Sequence, residues 1–374
     1  MVAIVTVVVS VVVSSAAVSG SANELIDRSV ETRASTAAEE LRAYIDGLTR
    51  NMRLLTSSPG MTDTSRAFTE GFRLLNAEDP DSLAAEKDAL TRFYLDEFLP
   101  ALSEVRGQPV DPTEFFPTAE AAALYLQNTY IALNPFEGDD RRLLSNGEDG
   151  SAWTAVHVDA HPALRDIADQ LGFLDLMIVD AATQSIVYSV AKDVAFATTL
   201  DTGPHSGSTL AGLVRRVVAD PKEGDVVGTD VAVYPPSGDR PTAFLAAPIF
   251  VDGTFEAVLV GAVAFDEITA IMTSDWRAGR FGETGEMYLV GPDRRMRSDA
   301  RTLLEEPDAF FSRIDEMGSV TGVDRSRMEA LGTSVVFQPV DSEAAQRGIE
   351  GETGSVRTVN YLGADVLSAY VPID

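Results

Sequence analysis

The 374-residue sequence contains no cysteine. That excludes disulfides, thiolate catalysis, cysteine-ligated zinc and a lipid anchor carried on cysteine. A fold without such staples must be held by its core, and a chain of this length can build one. Lysine is nearly missing as well: Lys87, Lys192 and Lys222 are the only three, and the remaining basic residues are arginine. The 29 basic residues face 58 acidic ones, for a formal charge of −29. Such a surface repels phosphate backbones, which excludes nucleic acid as a partner. Common catalytic signatures are also absent. There is no Gly-x-x-x-x-Gly-Lys loop, no Gly-x-Ser-x-Gly elbow and no His-Glu-x-x-His. The chain therefore reads as a non-enzyme without a cofactor.

Charge is absent from the first twenty residues, MVAIVTVVVSVVVSSAAVSG, and the first ionisable side chain is Glu24. A run this long and apolar is about enough to cross a bilayer core as a helix. Residues 1–20 are accordingly expected to form a transmembrane helix truncated at its N-terminus, since no basic flank precedes the run. The alternative is a buried core element, and the clusters Val7–Val9 and Val11–Val13 would suit a strand. Everything beyond is polar, acidic and globular in pattern. Residues 21–374 are then either tethered outside the cytoplasm or secreted.

Residues 21–58 read as one long helix. Ile26, Val30, Ala34, Ala37, Leu41, Ile45, Leu48, Met52 and Leu55 recur in steps of three and four, an apolar stripe. The stripe could pack on its own domain, pair with a second copy in a homodimer, or both. Residues 60–150 look mainly helical, and a short helix is expected after His161-Pro162. From Phe173 the period changes to two. Strands are expected at 173–180, 185–190, 226–234, 242–251 and 255–265, with Asp252-Gly253 as a hairpin turn. A shorter version follows: a hairpin over 286–298, an extended stretch at 333–340, and strands at 355–362 and 365–373. Gly-Glu-Thr-Gly occurs at 282–285 and again at 351–354, each time before a strand, as a turn element. The fold class is α+β, with antiparallel sheets.

Little in this sequence speaks for an active site. His157 and His161 are four apart, a spacing that can place two imidazoles on one helical face as metal ligands. Pro162 argues instead that a helix begins there, and no metal site is assigned. A binding pocket fits better. Tyr188, Ser189, Lys192, Asp193, Asp230, Tyr234 and Ser237 cluster around the central strands. A Lys and an Asp near tyrosines can hold a small zwitterion, the Lys pairing its acid and the Asp its amine. The same residues could equally be strand-end groups that solvate or pair with one another.

Several stretches resemble the double Cache sensor domains of bacterial transmembrane receptors. They are FFPTAEAAALYLQNTYIALNP (115–135), HPALRDIADQLGFLDLMIVD (161–180), IVYSVAKDVAFATTL (186–200), GTDVAVYPPSG (228–238), AAPIFVDG (246–253) and FGETGEMYLVGPDRRMRSDAR (281–301). The resemblance covers nearly all of 21–374 and looks closest to sensors of adenylate/guanylate cyclase-linked receptors, with chemotaxis receptors and histidine kinases as relatives. It implies a stalk helix over 21–58 and two PAS-like modules. The membrane-distal module would lie within 59–265, with the helical region, and the membrane-proximal one within 266–374. It also implies an extracytoplasmic, small-molecule-sensing function with the cytoplasmic output outside this chain. By motif position, ligand contacts fall on Tyr188 and Lys192 in IVYSVAKD and on Asp230, Tyr234 and Ser237 in GTDVAVYPPSG. The Arg, Trp and Tyr cluster of amino-acid-binding relatives has only Trp153 and Arg165 as loosely spaced counterparts.

Overall fold

The computed structural model describes residues 5–12, 20–77, 83–117, 120–263, 265–277 and 285–373. In chain order the elements begin with β1 (Val5–Val12), α1 (Gly20–Thr56), α2 (Pro59–Asn76), α3 (Ala84–Phe93), α4 (Leu99–Arg106), α5 (Ala121–Gln127) and α6 (Ala152–Leu171). Then come β2 (Phe173–Asp180), β3 (Ile186–Ser189), α7 (Thr209–Ala219), β4 (Val227–Gly228), β5 (Ala232–Tyr234), β6 (Arg240–Val251) and β7 (Thr254–Val263). The last are α8 (Phe265–Arg277), β8 (Glu286–Val290), α9 (Arg301–Glu305), α10 (Pro307–Met317), α11 (Gly322–Leu331), α12 (Glu343–Ile349), β9 (Gly354–Val359) and β10 (Asp365–Ile373). They sort into two compact units. A central unit holds Leu48–Glu104 and Gln108–Ala264, and a terminal unit holds Val2–Gly47, Val105–Gly107 and Phe265–Asp374.

The central unit is built on an antiparallel sheet of order β3-β2-β7-β6-β4, with β5 paired to β6. Asp252 and Gly253 both take positive φ (53° and 78°), the conformation a two-residue hairpin between β6 and β7 needs. Helices α2 and α6 back the sheet. They meet closely at Gly71, where an added Cβ would lie 2.8 Å from the Trp153 Cα. Trp153 is fully buried and its indole N–H donates to the Val187 carbonyl at 2.8 Å, tying α6 to β3. Helix α6 starts at a Ser151 cap and runs through Pro162 to Gly172, which closes it in the left-handed region. The helix start expected at Pro162 is thus corrected. Pro162 sits inside α6, and the carbonyl it leaves without a partner belongs to Val158, on the exposed side.

The terminal unit has a four-stranded sheet of order β8-β1-β10-β9. Val30, Ala34, Ala37, Ala38 and Leu41 on α1 pack with Ile268 and Met272 of α8 and with Met287, Leu289, Leu367 and Ala369 of the sheet. The small side chains in that stripe let α1 lie close to the strands. This stripe therefore serves the helix's own core. The Gly-Glu-Thr of 282–284 lies outside the described residues. The second copy is a turn with Gly351 at φ 88°, leading directly into β9.

Four further expectations need correction. Residues 5–12, expected within a transmembrane helix, form strand β1 in the middle of the terminal sheet, paired with both β8 and β10. Among the described residues no helix is long and apolar enough to cross a membrane. An apolar run without period cannot distinguish strand from helix, and here two open strand edges decide it. The strand expected over 226–234 is broken into β4 and β5. Residues 333–340 form turns with an isolated bridge, Arg295↔Pro339, and the 286–298 hairpin keeps only the bridge Val290↔Met296.

Candidate functional site

A cavity of about 680 Å³ opens in the central unit. Strand β2 supplies Phe173, Asp175 and Met177 to it, the loop after β3 supplies Lys192 and Asp193, and the β5–β6 region supplies Tyr234, Ser237 and Phe244. Helix α3 and the 137–142 segment close it with Phe93, Glu137, Asp139, Arg141 and Arg142.

Local structure explains how the acidic groups come to sit there. Asp175 interrupts an apolar strand and is almost fully buried. Its carboxylate accepts from the Ser189 hydroxyl and the Val190 amide at 2.8 Å and from the Ala191 amide at 2.9 Å, which shapes the loop leaving β3. In that loop Lys192 (φ 58°) and Ala197 (φ 64°) occupy the left-handed region, a strained conformation for residues other than glycine. The strain is held in place by Gln127 at the end of α5. Its amide donates to the Val194 and Phe196 carbonyls (3.0 and 2.7 Å), and its carbonyl accepts from the Tyr94 hydroxyl at 2.9 Å. Asp193 is thereby presented to the cavity, where it accepts from the Ala195 amide (2.9 Å) and the Ser237 hydroxyl (2.8 Å).

Burial pushes the Asp193 carboxyl up to about 6, and the neighbouring Asp175 adds to the rise. Burial likewise raises Asp175. It lowers Lys192 to about 7, with Asp175 pulling the other way. The Lys192 ammonium does not pair with a carboxylate. It donates to the Ser189 and Val190 carbonyls (3.2 and 3.4 Å) and lies between the faces of Tyr130 and Tyr188 (5.7 and 5.8 Å to the centroids). Two lining residues hold buried polar atoms without a partner: the Tyr234 hydroxyl and the Arg141 Nε. Tyr234 packs edge-on against Phe244 (4.9 Å), and Arg141 stacks over Phe93 (5.0 Å). Arg142 is paired with Asp169 and Arg240 with Asp139.

Of the residues the sequence singled out, the structure brings Lys192, Asp193, Tyr234 and Ser237 to this cavity and leaves Tyr188, Ser189 and Asp230 outside its lining. The reason for Tyr188 is parity. Met177, which lines the cavity, pairs with Ser189, so Tyr188, paired with Ile178, faces the other side of the sheet. There its hydroxyl bonds the His161 Nδ1 (2.8 Å) and its ring packs on Phe68 (4.4 Å). Asp230 folds back on its own loop and accepts from the Val231 amide at 2.7 Å. Trp153 is core, and Arg165 pairs with its neighbour Asp166 at 3.8 Å. Asp175 and Arg141 were missed as site residues. A lone aspartate within FLDLMIVD was the available signal for the first, whereas Arg141 lies in a charged loop without pattern.

The histidine pair is engaged in ring stacking and hydrogen bonds. The rings of His157 and His161 stack at 4.2 Å, and both nitrogens of His161 are bonded, to the Tyr188 hydroxyl and the Arg142 carbonyl. Among the described residues no group of three His, Asp or Glu side chains could hold a metal ion.

No protein-family model matches the chain, and no curated protein matches it in sequence. Solved structures similar to it include ligand-binding and sensor domains of receptors and histidine kinases. An extracellular ligand-binding receptor from Desulfohalobium retbaense shares 14% identity at a TM-score of 0.32. The match spans 71% of this chain and 41% of that one, less than half of the receptor's length. The ligand-binding domain of the Pseudomonas aeruginosa amino-acid chemoreceptor PctC, solved with GABA, shares 13% at 0.28 over 62% of this chain and 84% of that one. The sensor domain of the Vibrio cholerae histidine kinase DctB shares 11% at 0.31 over 79% and 98%. At such low scores the functional reading rests on the site in this chain.

Proposed function

We propose that the chain is the extracytoplasmic, small-molecule-sensing part of a membrane signalling receptor, and that it binds rather than catalyses. The observation that carries this is the cavity itself. It combines aromatic walls, two buried carboxylates raised above their usual range, and an unpartnered phenol and guanidinium nitrogen. Six carboxylates line it (Glu97, Glu137, Asp139, Asp169, Asp175, Asp193) against four basic groups (Arg141, Arg142, Lys192, Arg240). Buried carboxylates are relieved by an ammonium. The Tyr234 hydroxyl and Arg141 are relieved by an acceptor. The ligand class is therefore a small molecule carrying an amine at one end and a carboxylate or carbonyl at the other. GABA, bound by the chemoreceptor domain above, is a suitable probe.

The test is titration calorimetry of the whole chain with GABA, butylamine and butyrate. GABA should bind at least about tenfold more tightly than either single-ended analogue, since a ligand that cannot make one of the two charge-assisted interactions forfeits about 1.4 kcal/mol or more. Equal binding of all three, or of none at millimolar concentration, overturns the ligand class.

Membrane attachment through the N-terminal apolar run, a homodimer in the complete receptor, the Cache assignment and an adenylate/guanylate cyclase output belong to the same proposal. A second reading, a free solute-binding protein, is favoured by one observation: residues 5–12 fold into the sheet. Membrane fractionation of the protein in its native host separates the two.

A further inference from the structure

The polar groups of the cavity explain the two ends of the ligand but leave its size and its rings unused. A volume of about 680 Å³ falls in the range of about 300–1,000 Å³ that holds drug-sized ligands, well beyond a four-carbon chain such as GABA. Two features of the backbone shape the extra room.

The first is on the helical side. A five-residue π-helical turn, Tyr94–Phe98, joins α3 to α4. In a regular α-helix, residues five apart point about 140° away from each other. The wider turn brings Phe93 and Phe98 side by side instead, with ring centroids 6.5 Å apart and planes at 26°, and both residues line the cavity. Such turns within α-helices recur at functional sites.

The second is a notch in the sheet. Asp175 on β2, Ala262 on β7 and Phe244 on β6 stand directly opposite one another, and all three line the cavity. Opposite residues share a face with Cβ atoms about 5 Å apart, so Asp175 and Phe244 are about 10 Å apart with only the Ala262 methyl between them. The Asp175 carboxylate turns to the loop leaving β3, on the far side of β2. Phe244 packs edge-on against Tyr234 at 4.9 Å, on the far side of β6. Both flanking side chains are thus engaged away from Ala262.

We propose that this notch seats an aromatic ring, so that the ligand is an aryl-bearing amine with an acceptor group, its ring over Ala262 and facing Phe93 and Phe98. The proposal rests on the ligand-binding reading above and adds an apolar body to the two ends. A ring fits here better than a branched aliphatic group. Its electropositive edge suits a cavity rich in carboxylates, and it can pack edge-to-face on the phenylalanines. A ring is also rigid, so little rotamer freedom is lost on binding.

The experiment is titration calorimetry of the full chain with GABA, β-phenyl-GABA and β-isobutyl-GABA, which share both ends and differ only at the middle carbon. β-phenyl-GABA should bind about tenfold or more tighter than GABA, and about threefold or more tighter than β-isobutyl-GABA. Ala262→Leu and Ala262→Val fill the notch. In both, the advantage of β-phenyl-GABA over GABA should shrink below about threefold. The valine variant is the smaller intrusion, on a strand that favours β-branched residues, and carries the test where the leucine variant does not fold. Equal affinity of wild type for GABA and β-phenyl-GABA overturns the proposal. Equal affinity for the phenyl and isobutyl compounds overturns the aromatic class. A full advantage kept in a folded Ala262 variant, or loss of all binding in both variants, overturns the placement over Ala262. The two-ended reading fails separately, when GABA binds no better than butylamine or butyrate; a β-phenyl-GABA that still outbinds GABA then supports the notch alone.

Discussion

Replacing Asp193 with asparagine should make the protein more stable and a poorer binder at once. The carboxyl is raised from 3.8 to about 6 by burial and by Asp175. At pH 7.5 the native state therefore holds an ionised group that it would rather protonate. A rise of that size corresponds to about 3 kcal/mol, at about 1.36 kcal/mol for each tenfold change in proton affinity. Water in the cavity screens part of this, so a gain of about 1–3 kcal/mol is expected. Asparagine can keep both hydrogen bonds, its carbonyl accepting from the Ala195 amide and its side-chain amide meeting Ser237. The pH signature follows from the sign of the change. A carboxyl with a raised native value stabilises the fold when protonated and loses that contribution as pH climbs from about 4 through about 6. The variant should match the wild type near pH 4, pull ahead across this window and keep a constant lead above it. Urea denaturation at a series of pH values measures the gap. Affinity for an amine probe should fall by about 2–5 kcal/mol, because a charge-assisted interaction disappears. A variant less stable than wild type at pH 7.5 would make Asp193 a structural residue. Unchanged affinity would remove it from the site.

His205 is buried, its Nε2–H donates to the Val194 carbonyl at 3.1 Å, and burial lowers it to about 4. Neutral histidine stability is present above 6.5 and lost as pH falls towards 4. His205→Gln should therefore retain about 3 kcal/mol more than wild type at pH 4 relative to pH 7, read from the same urea series. Gly71→Ala brings a methyl to 2.8 Å from the Trp153 backbone and should cost about 1–3 kcal/mol by overpacking α2 against α6, seen as a lower denaturation midpoint. Ala43→Pro, at an exposed position of α1, removes a helical hydrogen bond and should cost about 3 kcal/mol or more; unchanged thermal unfolding would show that α1 is not integral to the fold.

Much of the fold was legible where local signals agree. FLDLMIVD is a short apolar run flanked by turn residues and is β2 to the residue. Asp252-Gly253 between two apolar runs announced the β6–β7 hairpin through the positive φ values it now shows. What failed was decided at long range. The run 5–12 is uncharged and valine-rich, so its period is silent, and its state is set by partners at 286–290 and 366–373. The site divided in the same way. Strand-end position revealed Lys192, Tyr234 and Ser237, whereas the face of Tyr188 depended on a pairing with Ile178 that a sequence does not display. The stretch 281–301, one of those that resemble double Cache sensors, is architectural over its described part. Arg294, Arg295 and Arg301 there are committed to Asp341, Asp324 and Glu305.

A protein with a net charge of −29 has every reason to keep acidic groups in water, yet Asp175 and Asp193 are drawn into one cavity. Their raised values mean that holding both groups ionised costs the fold stability. On the proposed reading, an arriving ammonium would offset that cost in proportion to the charge it neutralises, and the penalty would become binding free energy selective for cations. The surrounding acidic surface works in the same direction, raising the local concentration of cationic solutes at low ionic strength. Cost and selectivity thus have one physical origin, and it lies in the loop that Gln127 holds in its strained conformation.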